Sequence, residues 1–308
     1  MSPKGQSGQV AIEGRRLRLS NLDKVLYPQA GFTKAQIVDY YARVGEVMVP
    51  HLADRPVTLV RWPDGVDSQS FFEKRCPSHA PAWMRSAAVI DDLNQCVLDD
   101  LPSLVWAANM AALELHTPQA RVSRPDRPDS MVFDLDPGPG SSVLDCCRVG
   151  LDLHGVLAEL GLESVAKTSG AKGIHLAVPL HTEVTDDDTK GFALALGQLL
   201  ANREPDRVTV VMRKDLRKEK VFVDWSQNDR HKTTVCAYSM RGKERPMVST
   251  PVTWDEVSDA LDGKDPDALT FEAPDVLDRI GQVGDVYLPN LELEQELPAL
   301  GTQGRSRA

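Results

Sequence analysis

The chain reads as a mixed α+β fold, with β-sheets flanked by helices, and three observations predict it. Short β-branched runs ("MVFDLD", "SVAKT", "IHLAVPL", "VTVVM", "KVFVDW" and "TTVCAYS") are intermixed with amphipathic helical segments. The later runs are joined by connections too short for a strictly alternating parallel sheet. No internal repeat is present, and 308 residues suffice for a full core.

In order along the chain, Thr33 with Gln36 reads as a capping box opening a helix through "AQIVDYYARVGEVMVPHL". Within it Ile37, Tyr40, Tyr41, Val44 and Val47 keep helical spacing. "RPVTLVRW" is a strand, and Leu101 to Leu115 reads as a second, apolar helix. Ser141 and Ser142 cap a third, through "VLDCCRVGLDLHGVLAEL", which ends at Gly161; Asp186 to Asp188 cap a fourth over "TKGFALALGQLL". Residues 1–15 are expected to be flexible, and 291–308, which end in "GTQGRSRA", to be a disordered tail.

No run of about 18 apolar residues occurs, and "MSPKGQSGQV" lacks the apolar stretch of a signal peptide, so the expected setting is cytoplasmic, without a membrane partner. Five cysteines, Cys76, Cys96, Cys146, Cys147 and Cys236, with no C-x-x-C pair, argue for buried thiols in a reducing compartment and against a zinc ribbon or disulfide framework. A formal net charge of -10 ordinarily counts against a nucleic-acid partner. Its distribution matters more. From Trp254 onward the chain carries thirteen Asp and Glu against four Lys and Arg, which leaves the remainder close to neutral. Two segments are then locally basic: one holding Arg15, Arg16, Arg18, Lys24 and Lys34, and one from Arg203 to Arg245 containing "MRKDLRKEK".

In "MVFDLDPGPG", Asp134 and Asp136 share one face of a strand, with side chains roughly 6 to 7 Å apart, while Phe133 and Leu135 take the core face. Carboxylates that close raise one another's pKa unless a cation lies between them, and a hard divalent metal is the economical resolution. The plainer reading, one aspartate capping the turn at Pro137 and Gly138 and the other solvated, weighs about equally for the D-x-D pair alone. "KVFVDWSQND" repeats the design, an apolar strand ending in Asp224. Beside the first strand, Asp224 would complete a cluster able to hold two metals about 3.5 to 4 Å apart for in-line phosphoryl transfer. Between them lies "TSGAKGIHLAVPL", in which Gly170 and Gly173 allow close backbone approach, Ser169 offers a hydroxyl and Lys172 a phosphate-seeking cation. With Ile174 and Leu176 facing the core, His175 points to the opposite face. The loop is not a Walker A sequence, since neither Ser nor Thr follows its lysine and no helix follows.

"VFDLDPG", "TSGAKGIH" and "VFVDWSQN", in this order and with "LDKVLYP" and "RWPDGVDSQSFFEK", closely resemble the polymerase domain of bacterial ligase D, in the archaeo-eukaryotic primase superfamily; the match runs from about Arg16 to about Ile280. The resemblance implies a primase-like catalytic core and a nucleotidyltransferase that extends a DNA primer with NTPs or dNTPs, often preferring ribonucleotides and manganese. Carried over by motif, Asp134, Asp136 and Asp224 hold two Mn2+ or Mg2+ ions. Ser169, Lys172, His175, His116 (in "ALELHTP"), Arg241 (in "YSMRGK") and, more weakly, Gln227 contact the nucleotide. Lys24 and Lys34 match lysines that hold a 5′-phosphate at the far side of a gap. Phe71 and Phe72 match a pair stacking on bases at the template bend, and Arg61, Lys74 and Arg217 are lesser DNA contacts.

The domain implied spans 16–290: a DNA- and 5′-phosphate-binding part over about 16–125, a catalytic part over about 126–250 and an acidic helical part over about 251–290. The partners implied are gapped or broken duplex DNA with a 5′-phosphate, an ATP-dependent DNA ligase in trans and a Ku-type end-binding protein, with the protein associated with the nucleoid. No K-x-D-G ligase motif occurs, so a stand-alone primase-polymerase is expected. Two departures bear on contacts. Val60 stands before "RW", where relatives commonly carry a basic residue, and "ARVSRPDRPDSMVFDLD" is compact, as if a loop near the template were shortened. Two other readings remain. A haloacid-dehalogenase-like phosphatase shares D-x-D, a Ser/Thr, a lysine and later carboxylates, but its D-x-D is usually N-terminal and followed by Gly-Thr or Gly-Val. A non-catalytic DNA-end-binding module gains nothing from three unneutralised aspartates.

Overall fold

The computed structural model describes residues 6–299. In chain order the elements are β1 (Gly8–Ile12), β2 (Arg15–Leu19), β3 (Val25–Tyr27), β4 (Phe32–Thr33), α1 (Lys34–Leu52), β5 (Pro56–Arg61), β6 (Phe71–Glu73), β7 (Ser86–Ala88), β8 (Asn94–Val97), α2 (Leu101–Asn109), β9 (Ala112–Thr117), β10 (Ala120–Arg121), β11 (Arg124–Pro128) and β12 (Ser130–Pro137). There follow α3 (Val143–Glu159), β13 (Val165–Thr168), β14 (Ile174–Pro179), α4 (Asp186–Arg203), β15 (Val208–Thr209), β16 (Val221–Asp224), β17 (Thr234–Val235), β18 (Pro251–Val252), α5 (Trp254–Gly263), α6 (Ala273–Val283) and α7 (Pro289–Glu292).

Two six-stranded sheets organise these elements. The first runs β15-β16-β12-β14-β13-β18 and is antiparallel except where β15 meets β16. The second runs β17-β9-β5-β8-β7, with β6 also on β5. Strand alternation sorts the first sheet's side chains cleanly. Met131, Phe133 and Leu135 of β12, Ile174, Leu176 and Val178 of β14, and Val221 and Val223 of β16 join a core with Cys146, Cys147, Leu153 and Leu157 of α3 and Leu196 and Leu200 of α4. The opposite face meets the core of the second sheet: Val132 and Ala177 pack with residues of α1 and α2, including Tyr40, Tyr41, Met48, Leu104 and Trp106. Asp134, Asp136, His175 and Asp224 lie on that same face by alternation. The mixed α+β class expected from the sequence is the one observed.

Several local expectations hold in detail. Thr33 and Gln36 form the capping box of α1, and Ser142 with Asp145 that of α3. Others are corrected. The apolar run 101–115 is not one helix: α2 ends at Asn109, Ala111 adopts φ 56, and 112–117 form β9. Both pieces are buried, so no change of polarity marks the junction, and no Gly or Pro punctuates it. The cap of α4 is Thr185, whose hydroxyl accepts from the Asp188 N–H, rather than the aspartates inside the helix. Cys76 and Cys96 form a disulfide, while Cys146, Cys147 and Cys236 are buried thiols as expected.

At the ends, residues 8–12 are not flexible but pair with β2, and 1–5 lie outside the described residues. Residues 291–299 are docked rather than disordered. Gln295 donates from its backbone to Leu180 O (2.9 Å) and from its side chain to Pro179 O (2.7 Å), and Thr182 Oγ donates to the Gln295 carbonyl (3.0 Å). "GTQGRSRA" lies outside the described residues. No helix among the described residues is long and apolar enough to cross a membrane.

Candidate active site

The site begins with cross-strand register. Asp134 lies opposite His175 on one side and opposite Asp224 on the other, which places the two carboxylates and the imidazole in one row across three strands. His175 Nε2 is 3.1 Å from Asp134 Oδ1, an oxygen that is buried and accepts no well-aligned hydrogen bond. Burial would raise the Asp134 pKa, but His175, followed by Lys167 and Arg241, more than offsets it and holds it below the ordinary value. Asp136, nearer the mouth, goes the other way: desolvation, then Asp134 and Asp224, push it up to about 6. Two neighbouring carboxylates with opposed shifts mark a place short of positive charge.

The loop between β13 and β14 is held by its own serine. Ser169 Oγ accepts from the backbone N–H of Gly173 (3.0 Å) and of Ala171 (3.2 Å). Its glycines are required sterically: Gly170 has φ +65, and a Cβ on Gly173 would stand 2.1 Å from the Leu135 carbonyl oxygen. That contact draws the loop against the end of β12, beside Asp136. Ser169 is thereby buried, while the Lys172 side chain stays exposed.

Arg241 closes the other wall. Its Nε donates to Glu114 Oε1 (3.1 Å) and its Nη1 to the Ser169 carbonyl. Glu114 also pairs with His116 Nε2 (2.8 Å) and accepts from the Gly242 N–H (3.0 Å). Burial would raise the Glu114 pKa, yet His116, Arg241 and Gly242 together bring it down to about 2. The sequence reading missed Glu114; its only signal was the same-face spacing of "ELH" on a strand. It also missed Lys167, a buried ammonium that burial lowers to about 7, and Lys243, in "RGKE".

His116, Asp134, Asp136, Lys172, His175 and Arg241 line a cleft of about 350 Å3, together with Ser169, Gln227 and Lys243. Asp224 is at its edge and turned away. Its Oδ1 accepts from the Ser226 N–H (3.0 Å) and hydroxyl (2.6 Å), and its Oδ2 from Gln227 Nε2 (2.9 Å). Among the described residues no three His, Cys, Asp or Glu side chains already converge as a metal cluster. The donor chemistry nevertheless fits a hard divalent cation: an orphaned carboxylate oxygen on Asp134, a destabilised carboxylate on Asp136 and a third on the adjacent strand. To join them, Asp224 has to give up its capping role.

The comparisons with known proteins fall on this arrangement. The family model described as "LigD, primase-polymerase domain" matches residues 33–287. The chain belongs to the LigD primase-polymerase family. It is 41% identical over 279 residues to the multifunctional non-homologous end joining protein LigD of Mycolicibacterium smegmatis, covering 89% of this chain and 36% of that protein. Against the bifunctional LigD of Bacillus subtilis it is 33% identical over 286 residues, covering 92% of this chain and 45% of that one. The chain therefore spans about a third to a half of the length of these relatives. Among solved structures, the polymerase domain from Mycobacterium tuberculosis ligase D in complex with DNA superposes with a TM-score of 0.83 at 41% identity, covering 90% of this chain and 98% of that one.

In this LigD primase-polymerase domain the remaining candidates lie outside the cleft. Lys34 is buried, donates to the Ser20 carbonyl (2.6 Å) and is lowered to about 8 by burial, then by Lys24 and Arg61, so these three cations are close neighbours. Lys24 pairs with the exposed Asp64 (2.7 Å). Arg61 pairs with Glu73 (2.6 Å) and lies 5.0 Å over the ring of Phe71. Phe71 and Phe72 are 43% and 65% exposed, which core residues would not be, and Phe72 stands edge-on to His116 at 6.4 Å. Lys74 lines a separate cavity of about 140 Å3 with Arg230 and His231. Arg217 stacks 3.5 Å over Phe222, beside Asp136. Val60 is buried in β5, flanked in register by Phe72 and Glu114. The compact segment before β12 is the β10–β11 hairpin.

Proposed function

We propose that this chain is a template-dependent DNA-repair polymerase that adds NTPs or dNTPs to a primer 3′-hydroxyl at short gaps or at broken ends. The observation that carries it is the row Asp224, Asp134, His175 across three adjacent strands, of which Asp134 and His175 line a cleft whose other wall is the glycine loop with Lys172 and the guanidinium of Arg241. The family relationship, with a related polymerase domain seen in complex with DNA, supports the same reading. A phosphatase of the haloacid-dehalogenase type accounts neither for this largely antiparallel sheet nor for the family match.

Asp134 and Asp136, with Asp224 drawn off its cap, would hold two Mn2+ or Mg2+ ions, which supply a lowered pKa for the primer hydroxyl and neutralise phosphate charge. The chain's own groups do the rest. Lys172, exposed and unencumbered by the loop it belongs to, reaches the triphosphate. Arg241 is held by Glu114, so its guanidinium is pre-aimed where charge develops on the leaving pyrophosphate. His175 and Ser169 line the phosphate wall, His116 with Phe72 the nucleoside side, and Gln227 adds a polar contact near Asp224. No protein nucleophile is needed. Sealing the product would fall to an ATP-dependent DNA ligase in trans, with a Ku-type end-binding protein bringing ends together, as the family resemblance implies; the relatives' names speak of non-homologous end joining.

The test is extension on a gapped duplex, with NTPs and dNTPs compared under manganese and magnesium. Asp224→Ala should abolish nucleotide addition while leaving DNA binding measurable. Near-normal addition by that variant would remove the three-carboxylate site.

A further inference from the structure

One buried cation has no part in the reaction just described. Lys167 lies on β13 directly opposite His175 in register, with 4% of its surface exposed. Its Nζ is 3.1 Å from His175 Nδ1 and donates to Ser249 Oγ at 2.8 Å. Ser249 Oγ gives its own hydrogen to the Thr168 carbonyl at 2.8 Å, so toward Lys167 it acts as an acceptor. On the far side of the imidazole, Nε2 is 3.1 Å from Asp134 Oδ1. While Lys167, lowered by burial to about 7, holds its proton, the ring thus stands between an ammonium, which can only donate, and a carboxylate, which can only accept. A neutral imidazole accepts from the lysine in one way alone, with Nδ1 bare and hydrogen on Nε2, on the side of the orphaned Asp134 oxygen.

We propose that Lys167 is a positioning residue that fixes His175 as its Nε2–H tautomer and keeps that hydrogen aimed into the cleft, toward Asp134 and the phosphate of an incoming nucleotide. The opposite tautomer would turn a lone pair on two groups that are themselves acceptors, and repel both. The ring has no freedom to choose otherwise while Lys167 occupies Nδ1. Ser249 fixes the lysine in turn, so the relay runs from the Thr168 carbonyl, on the glycine loop's own strand, to the cleft. A partner hydrogen-bonded behind a metal-ligating histidine sets tautomer and ring orientation, and its loss there costs roughly 10- to 100-fold, the scale taken for Lys167 behind His175.

The catalytic consequence rests on the polymerase reading; the tautomer does not, and the two are measured separately. Long-range 1H–15N correlation on histidine-labelled protein, with His175 assigned through its loss in His175→Ala, should give a protonated Nε2 and a bare Nδ1. In Lys167→Met that pattern should give way to an Nδ1–H or mixed signal. In primer extension Lys167→Met should lower kcat roughly 10- to 100-fold with DNA affinity unchanged, and should add nothing in a His175→Ala background. Hydrogen on Nδ1 in the unmodified protein overturns the proposal, and this readout remains if Lys167→Met does not fold. So does a tautomer indifferent to the substitution, or a further loss in the double variant, which would make Lys167 only a counter-charge. An unmodified protein that fails to extend primers removes the polymerase reading and leaves the tautomer result standing.

Discussion

Glu114 has the most consequence of any side chain the motifs did not announce. Its carboxylate ties His116, two residues along its own strand, to Arg241 and the Gly242 N–H from a distant part of the chain. With its pKa depressed from 4.5 to about 2, it contributes stability that is complete above about pH 4.5 and is lost as the pH falls toward 2. Glu114→Gln should therefore forfeit on the order of 3 kcal/mol at neutral pH and flatten the acid limb of the stability curve. Urea unfolding of both proteins at a series of pH values measures this, and parallel curves would mean that the buried pairing contributes little. Asp136 shifts in the opposite sense. Held up to about 6 by desolvation, Asp134 and Asp224, it must release a proton before a cation can bind, so manganese affinity should climb as the pH rises through about 6 and then level off. Asp136→Asn should bind weakly with a flat profile; titration calorimetry on each decides whether this carboxylate is a ligand.

The strand ends and the glycine loop place these groups, and here the sequence was most and least informative. "FDLDPG" and "TSGAKGIH" could be read as strand and loop because alternation assigns each side chain a face, and the faces are as expected. Register could not be read, since the pairing of Asp134 with Asp224 depends on which residues of two distant segments meet. Nor could the break between α2 and β9, where two buried apolar elements meet at Ala111 with neither Gly nor Pro and only Asn109 to signal it. Glu114 escaped for the same reason: its partners are brought by tertiary structure. The loop makes a test of its own. Because a Cβ on Gly173 would strike the carbonyl of Leu135 at 2.1 Å, a backbone atom that cannot step aside, Gly173→Ala should push the loop off the end of β12. A destabilisation of about 1–3 kcal/mol is expected, with extension activity falling further than stability because Lys172 and Ser169 move with the loop. Equal activity at a temperature where the variant is folded would show that the loop does not need this seat.

A chain of net charge -10 can engage DNA only through local concentration of cations, and Lys24, Lys34 and Arg61, close to the end of β5, supply one. Lys24, Lys34 and Arg61 repel one another enough to lower the Lys34 pKa to about 8 after burial has acted, although Lys24 and Arg61 already have carboxylate partners in Asp64 and Glu73. Surface pairs such as Lys24 with Asp64 are worth at most about 1 kcal/mol, so an arriving phosphate can take Lys24 at little cost. It would also relieve the repulsion at Lys34. Charge-assisted hydrogen bonds of about 1.5–3 kcal/mol then predict that a gapped duplex with a 5′-phosphate binds roughly 10- to 100-fold more tightly than one without. The sign of the pH effect follows from Lys34: its positive charge, present below about pH 8, is what the phosphate meets, so the advantage should decline as the pH rises through that value. Lys34→Ala should erase both the advantage and its pH dependence while leaving binding to the unphosphorylated gap nearly intact. Fluorescence anisotropy with the paired substrates at constant ionic strength measures all three. Equal affinity for the two gaps would leave Lys24 and Lys34 as ordinary surface charge and place recognition of the DNA end elsewhere on the molecule.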